Sequence, residues 1–375
     1  MEKVFCIRNI ALLGLKSNLF PKNTIGAILL MNFIFFSIGH SFAQKPSVSI
    51  NAYGHLGFES TFNHDTSYAD FKLGEQEVFF NAKFNNKFSF LSEITLNYLG
   101  HGNYKLNIER LRLKFNYYNN HSLILGKFHT PVNYWNDVYF HARLFFPTID
   151  RPTMFSKWIP VHTFGLRLQG QNLGKHNFGY DLLLGSGMNS EDIYSVFRES
   201  SITAAVHWKP TDETRYGLSY YNTFMKDASD MAAHSHAGNH MVMNPYKGSL
   251  NFQMLNASIA YFGEKWELLN EFSYNNTKTD SLGVSHNLSN YTYLGYRVKE
   301  KNVPFVAYDI LLTSDKDLHT YPFHVMKFIL GYKYEFSTNL NVKTQLEYFK
   351  SIFDHHDHHS MGSMLQFKIQ MSYGI

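Results

Sequence analysis

The C-terminal residues 365–375 alternate apolar and polar side chains without interruption. A period of two over this length predicts a β-strand with one apolar face and one polar face. Residues 321–336 and 340–348 repeat the pattern, with Phe328, Leu330 and Tyr332 on one face of the first segment and Lys327 and Lys333 on the other. We therefore expect three consecutive amphipathic strands at this end of the chain.

Connections of two kinds separate the strand-like segments, and they alternate along the chain. Short turns rich in Asn, Gly and Asp, the residues that tight hairpins use, lie at 85–86, 119–120, 174–175, 211–212, 263–264, 300–302 and 337–339. Longer polar stretches lie at 61–74, 100–104, 131–160, 187–199, 226–248, 280–287, 315–320 and 354–360. These seven turns and eight loops join sixteen strands, an even number that places both termini on the short-turn side of a closed barrel.

The composition agrees with a barrel that lies in a membrane. Aromatic residues make up 17% of the chain, with 34 Phe, 25 Tyr and 4 Trp. No apolar run after residue 43 approaches the ~18 residues that a membrane helix needs. The predicted fold is therefore all-β, a transmembrane antiparallel β-barrel of sixteen strands, which is wide enough for an aqueous channel. A soluble β-sandwich is the alternative, but it would show shorter strands than the ~10 residues or more in each segment here.

The N-terminus carries the pattern of a secretory signal. Residues 25–38 are apolar, Lys16 and Lys22 precede them, and Ser41-Phe42-Ala43 follows as a small-x-small cleavage site. We expect residues 1–43 to be removed and residues 44–375 to form the barrel in the outer membrane of a Gram-negative bacterium, in contact with its lipid. The alternative, an uncleaved anchor helix, needs ~20 apolar residues.

Cleavage after residue 43 changes both the charge and the cysteine content. The removed segment holds Lys3, Arg8, Lys16 and Lys22 against Glu2, so the formal net charge falls from +4 to +1. A charge this small gives no reason to expect a nucleic-acid partner. The single cysteine, Cys6, is lost with the signal, so no disulfide or thiol chemistry is expected.

Residues 131–160 are the third outer loop in this count and lack a clean period. Irregular segments longer than roughly 12–15 residues are usually functional in compact domains. We expect this loop to fold into the lumen and narrow it, with aromatic residues packed on the wall and with Asp137, Arg143, Asp150 and Arg151 creating a transverse field. The alternative is a loop that only caps the barrel from outside.

Cations also lie on one face of a predicted strand just before this loop. Arg110, Arg112 and Lys114 alternate with apolar residues, so all three point into the predicted lumen. A row of cations on a pore wall favours anions. They could equally be ordinary lumen charges balanced by carboxylates such as Glu109 and Glu347.

Two segments carry a family resemblance. Residues 123–131, Leu-Ile-Leu-Gly-Lys-Phe-His-Thr-Pro, are similar to the strand-end motif that precedes this loop in the phosphate-selective porin O/P family, and Lys127 is the basic residue of the motif. Residues 111–115, Leu-Arg-Leu-Lys-Phe, also resemble that family. The resemblance implies a porin for passive diffusion of small hydrophilic solutes or ions, with a preference for anions and with trimeric assembly.

Histidines are concentrated in two of the predicted outer loops. They are His234, His236 and His240 in the fifth loop, and His355, His356, His358 and His359 in the eighth. Imidazole with carboxylate suits Zn²⁺, Cu²⁺ or Ni²⁺, so the alternative function is a barrel that displays these loops for divalent metal capture or uptake. A His-rich loop is also an ordinary polar loop. We expect no enzyme activity and no other cofactor, because no G-x-S-x-G motif or comparable guide to a nucleophile is present.

Overall fold

Sixteen strands form a closed antiparallel barrel in the computed structural model, which describes residues 46–62, 67–100, 103–139, 142–188, 199–228, 248–314, 316–317, 324–352 and 362–375. The strands are β1 Ser47–Phe62, β2 Ser67–Lys83, β3 Phe88–Gly100, β4 Asn103–Tyr118, β5 His121–His129, β6 His162–Leu173, β7 Phe178–Gly185, β8 Glu199–Trp208, β9 Thr214–Met225, β10 Leu250–Phe262, β11 Trp266–Thr279, β12 Gly283–Tyr296, β13 Asn302–Leu312, β14 His324–Ser337, β15 Leu340–Ile352 and β16 Ser363–Gly374. Each strand pairs with its neighbours in the chain, and β1 pairs with β16. The predicted fold and strand number are confirmed.

The two ends of the described barrel close on each other through backbone hydrogen bonds. The amide of Ala52 donates to the carbonyl of Ile375 at 2.9 Å, and the amide of Ile375 donates back at 2.8 Å. A closed barrel leaves no unpaired strand edge, and this is what allows a sheet to cross a lipid bilayer.

Alternation along the strands separates an apolar outer face from a polar inner face. On β14, Phe328 and Leu330 are 51% and 60% exposed, whereas Lys333 is buried on the inner side. The outward aromatic and aliphatic side chains are those that a lipid-facing surface needs. Within the described residues, no helix is long and apolar enough to cross a bilayer.

Three predicted loop boundaries were wrong because strands continue into polar sequence. Residues 61–74 contain the end of β1 and the start of β2, where Lys72 pairs with Glu59 of the neighbouring strand at 2.6 Å. Strand β12 already begins at Gly283 within the predicted loop 280–287, and Asn287 is buried in the lumen. The predicted loop 100–104 contains the last residue of β3 and the first residues of β4. Lys72 and Asn287 belong to the inner faces of their strands, so polarity alone misplaced those boundaries.

The third outer loop between β5 and β6 is not structureless. It contains helix α1 at Tyr134–Val138, a 3₁₀ turn at Arg143–Phe145 and helix α2 at Thr153–Lys157. Asn136 holds its two ends together, since its side-chain amide donates to the carbonyls of Thr130 at 2.8 Å and Val161 at 3.0 Å. The loop therefore starts and ends at one place on the wall.

Candidate pore constriction

The third loop lies inside the barrel, as predicted, and the wall caps both of its short helices. The carboxylate of Glu271 on β11 accepts hydrogen bonds from the backbone amides of Tyr134 and Trp135 at the start of α1. The carboxylate of Asp309 on β13 accepts from the amide and the hydroxyl of Thr153, both at 2.7 Å, at the start of α2. Free amides at helix N-termini favour acidic partners, so the two carboxylates fix where each helix begins.

Asp137, which we expected to help set the field in the opening, is bound to the wall by two arginines. Arg215 of β9 and Arg167 of β6 both donate to its carboxylate, and Arg167 is also paired with Asp181 at 2.7 Å. Burial raises the pKa of Asp137, but the charges of Arg215 and Arg167 outweigh burial and lower it to about 2. The side chain stays ionised and anchors α1.

The far end of the loop is anchored on β15 and β16. Lys368 pairs with Asp150 at 2.6 Å, and the side chain of Asn341 donates to the carbonyl of Leu144 at 2.7 Å. Lys343 donates to the carbonyl of Arg143 at 2.6 Å. Burial opposes ionisation of Asp150, yet the charges of Lys368 and Lys327 lower the pKa of Asp150 below its usual range. The loop thus crosses the lumen from β5 to the opposite wall.

On one side of the loop, the lumen is filled by an apolar core. Trp135, Phe146, Met154 and Trp158 of the loop are almost fully buried. Inward side chains of β9–β14 pack against them, and Trp135 meets the ring of Tyr291 edge-on at 5.8 Å between centroids. The predicted packing of loop aromatics on the wall is confirmed for this side.

On the other side, the described residues line two cavities. One of about 350 Å³ lies at the long-loop end, and one of about 240 Å³ lies at the short-turn end beside β1–β4. The charged lining of the first comprises Arg143, Arg151, Lys157, Lys327 and Lys368 with Glu75, Asp150 and Glu347. The charged lining of the second comprises Lys83, Arg112 and Lys114, with no carboxylate among its described residues.

Two loop arginines face carboxylates of β2 across the open side. Arg143 lies 3.7 Å from Glu75, and both arginines interact electrostatically with Glu75 and Glu77. Burial and the neighbouring charge of Arg143 lower the pKa of Arg151 to about 10, which leaves its guanidinium charged at neutral pH. The loop thus presents guanidinium groups opposite acidic side chains of the wall, which is the arrangement that the predicted transverse field requires.

The predicted basic face of β4 lies in the lumen but is divided between two places. Arg112 and Lys114 line the cavity at the short-turn end, whereas Arg110 is paired with Glu93 of β3. A register shift between β3 and β4 turns both Glu109 and Arg110 inward, and Glu109 accepts a hydrogen bond from Thr95 at 2.7 Å. Regular alternation would have put these two neighbours on opposite faces.

The motif at residues 123–131 contains a glycine with a structural requirement. Gly126 has a φ of 128°, and a Cβ atom there would lie 2.1 Å from the carbonyl oxygen of Leu111 on β4. Only glycine accommodates this backbone and this approach. The next residue, Lys127, is buried, 7% exposed, and lies opposite Leu111 in the pairing of β4 with β5.

The two His-rich loops lie outside the described residues, and this includes His234, His236, His240, His355, His356, His358 and His359. Their strand connections are described: the fifth loop joins β9 to β10, and the eighth joins β15 to β16. In the part of the chain that the structure covers, no group of three or more His, Cys, Asp or Glu side chains could hold a metal ion.

Sequence reasoning missed the acidic wall opposite the loop. Glu75, Glu77 and Phe79 alternate with outward Val78 and Phe80, which is the signal of an inward-facing row. The predicted loop at residues 61–74 makes β2 too short, because the strand begins at Ser67. The inward-facing row was therefore not recognised as part of a long strand.

Comparison with known proteins identifies the fold. No family model matches the chain, and no curated protein matches it. Among solved structures, the anion-selective porin from Comamonas acidovorans has a TM-score of 0.64 at 10% identity, over 88% of this chain and 100% of that one. OmpT of Vibrio cholerae has a TM-score of 0.60 at 12% identity, over 89% and 99% of the two chains. The outer-membrane channel DcaP of Acinetobacter baumannii has a TM-score of 0.56 at 13% identity, over 88% and 97%.

At these identities the similarity shows the fold alone. The chain has the barrel fold of Gram-negative outer-membrane channels, and this fold supports the outer membrane as its location. The phosphate-selective type suggested by residues 123–131 is not singled out by these comparisons.

Proposed function

We propose that this protein is an outer-membrane channel for passive diffusion of small hydrophilic solutes, with a preference for anions. Solutes pass on the open side of the third loop, between its arginines and the wall formed by β1–β4. The sixteen-stranded barrel with a loop folded across its lumen supports the proposal, because a barrel of this size has room for water beside the loop.

The balance of charge in the two cavities carries the anion preference. Five cations face three carboxylates at the long-loop end, and three cations stand without a described carboxylate at the short-turn end. Two acidic residues of this wall are paired with cations: Glu75 lies near Arg143, and Glu93 is bonded to Arg110. Excess positive charge at both ends raises the local concentration of anions.

Reversal potentials in a potassium chloride gradient across a planar bilayer test the proposal. We expect stable open steps and a potential of the sign that chloride selectivity gives. Replacing Arg112→Gln together with Lys114→Gln should move the potential towards cation selectivity, because it removes two of the three charges in the short-turn cavity.

The matched control removes the same charge outside the lumen. Lys265→Gln with Lys299→Gln changes two exposed lysines on short turns and should leave the potential unchanged. Equal shifts of the reversal potential in both variants would show that the charges of the short-turn cavity do not set the ion preference. Folded protein, verified by its heat-modifiable electrophoretic mobility, that gives no conductance would contradict the channel itself.

The homotrimer implied by the sequence resemblance is part of the same proposal. One of the compared structures is described as a trimer form of Vibrio cholerae OmpT. Mass measurement of the protein in detergent distinguishes a trimer from a monomer.

A further inference from the structure

Arg151 differs from the other cations around the cavity at the long-loop end. Lys368 is held by Asp150 at 2.6 Å and by Glu347 at 3.5 Å, and Lys327 lies 3.7 Å from Glu347. Arg151 has no carboxylate at ion-pair distance within the described residues. Its guanidinium instead lies 4.4 Å from the ring centroid of Phe155 and 5.2 Å from that of Phe146.

This geometry holds the guanidinium in place, and among the residues that the structure describes no hydrogen-bond acceptor occupies its donors, which can therefore serve a ligand. Stacking on an aromatic face orients the plane of an arginine, and the planar fork then matches the two oxygens of a carboxylate. A guanidinium held this way loses less conformational freedom on binding than a free side chain does.

The same cavity also has an apolar part. Phe155, Phe349 and Met364 line it together with Arg151, and Lys327 lies 5.9 Å from the ring centroid of Phe349. The volume of about 350 Å³ falls within the range of small-molecule sites. Hydrated inorganic ions gain nothing from contact with an apolar surface, whereas an aryl ring can pack on it.

We propose that this cavity is a binding site for small aromatic carboxylates, with Arg151 taking the carboxylate and Phe349 and Met364 taking the ring. The inference rests on the proposed channel function and names a class of solute for it. The site lies in the cavity at the long-loop end, which Arg143 and Glu75 also line, so a bound ligand obstructs the proposed path of chloride.

The test measures block of the chloride current in planar bilayers by benzoate. Acetate, which lacks the ring, and benzyl alcohol, which lacks the charge, serve as comparison ligands at equal concentration. We expect benzoate to reduce the current at concentrations where the other two do not. Arg151→Gln should weaken the block about tenfold or more, the loss of one charge-assisted contact. Phe349→Leu should also weaken the benzoate block, because it removes the aromatic face on which the ring packs.

Lys114→Gln is the matched control, because it removes a lumen cation from the other cavity. It should leave the benzoate block intact. The inference would be overturned if acetate blocked the current as strongly as benzoate, or if benzoate blocked the folded Arg151→Gln variant as strongly as the wild type. Neither outcome would contradict the proposed channel function. If the folded protein gives no chloride current, the channel proposal fails instead. Equilibrium dialysis with labelled benzoate then tests the binding site. Retention of benzoate that is lower in Arg151→Gln than in the wild type supports the site. Equal retention by the two proteins, or no retention by the wild type, overturns it.

Discussion

On the β9–β14 side of the lumen, the third loop buries Trp135 and Trp158 against inward-facing tyrosine, phenylalanine and leucine side chains. On the β1–β4 side, the same loop presents Arg143 and Arg151 to glutamates of β2 and to the cavity at the long-loop end. One half of the barrel interior is therefore packed like the core of a soluble domain, and the other half is charged and open.

The difference shows how a loop can be rigid and still face water. Close packing and buried hydrogen bonds on the first side fix the backbone of the loop. The rigid backbone then holds charged side chains at a defined distance from the opposite wall, where a field is useful only if its charges stay in place. Substitutions on the packed side should change stability, and substitutions on the open side should change what passes.

Replacing Trp135 by alanine should have the largest effect on stability. The side chain is 1% exposed and packs on Phe146 and Tyr291, so its removal leaves a cavity in the lumen core. We expect a loss of about 3–5 kcal/mol in the free energy of unfolding. Urea unfolding in detergent micelles, followed by electrophoretic mobility, measures it.

The matched substitution on the open side is Phe145→Ala. Phe145 is 45% exposed and meets Tyr53 at 5.6 Å between ring centroids. Because Phe145→Ala removes less buried apolar surface than Trp135→Ala does, we expect a loss of roughly 1 kcal/mol in the free energy of unfolding. Equal losses in the two variants would contradict the division into a packed side and an open side.

Much of the fold was readable from the sequence because barrel physics imposes a strict period. Residues 326–336 and 365–375 show their lipid-facing sets directly, and the turn chemistry at 85–86 and 119–120 marks the short connections. The count of sixteen survived errors in loop boundaries, since a strand that runs further into polar sequence changes a length but adds no strand.

The site was less readable because it depends on contacts far apart in the chain. Asp137 belongs to the third outer loop, yet its carboxylate is bound by Arg215, 78 residues away in the sequence. This distant contact makes Asp137 an anchor of the loop. The inward turn of both Glu109 and Arg110 depends on a register shift that no periodicity reveals. By contrast, the placement of Arg112 and Lys114 in the lumen followed from alternation alone.

The contribution of Asp137, the anchor of α1, to the stability of the fold should depend on pH within a narrow acidic range. Asp137 has a lowered folded-state pKa of about 2, against about 3.9 in the unfolded chain. Its ion pairs thus stabilise the fold above the unfolded value and lose that contribution as the pH falls towards 2. Asp137→Asn should cost about 1–3 kcal/mol at pH 7, since the carboxylate keeps some contact with solvent.

The difference between the wild-type protein and Asp137→Asn should shrink as the pH falls from about 4 to about 2, because the wild type then loses the same charge. Asp212→Asn, on an exposed short turn, serves as the control and should show no such convergence. A gap that stays constant over this range would mean that the Asp137 carboxylate does not contribute through its charge.

The smallest expected effect concerns the His-rich loops, whose flanking strands lie on different sides of the lumen. The fifth loop joins β9 to β10 on the packed side, and the eighth joins β15 to β16, whose residues Phe349 and Met364 line the long-loop cavity. If the histidines bind zinc, the eighth loop is the one joined to strands that line this cavity. Deleting residues 354–359 should therefore relieve any zinc inhibition of the current more than replacing His234, His236 and His240 by Gln. Zinc binding requires neutral imidazole, so the isotherm should weaken steeply below a pH of about 6.5. An isotherm that is the same after deletion of residues 354–359 would exclude the eighth loop as a metal site.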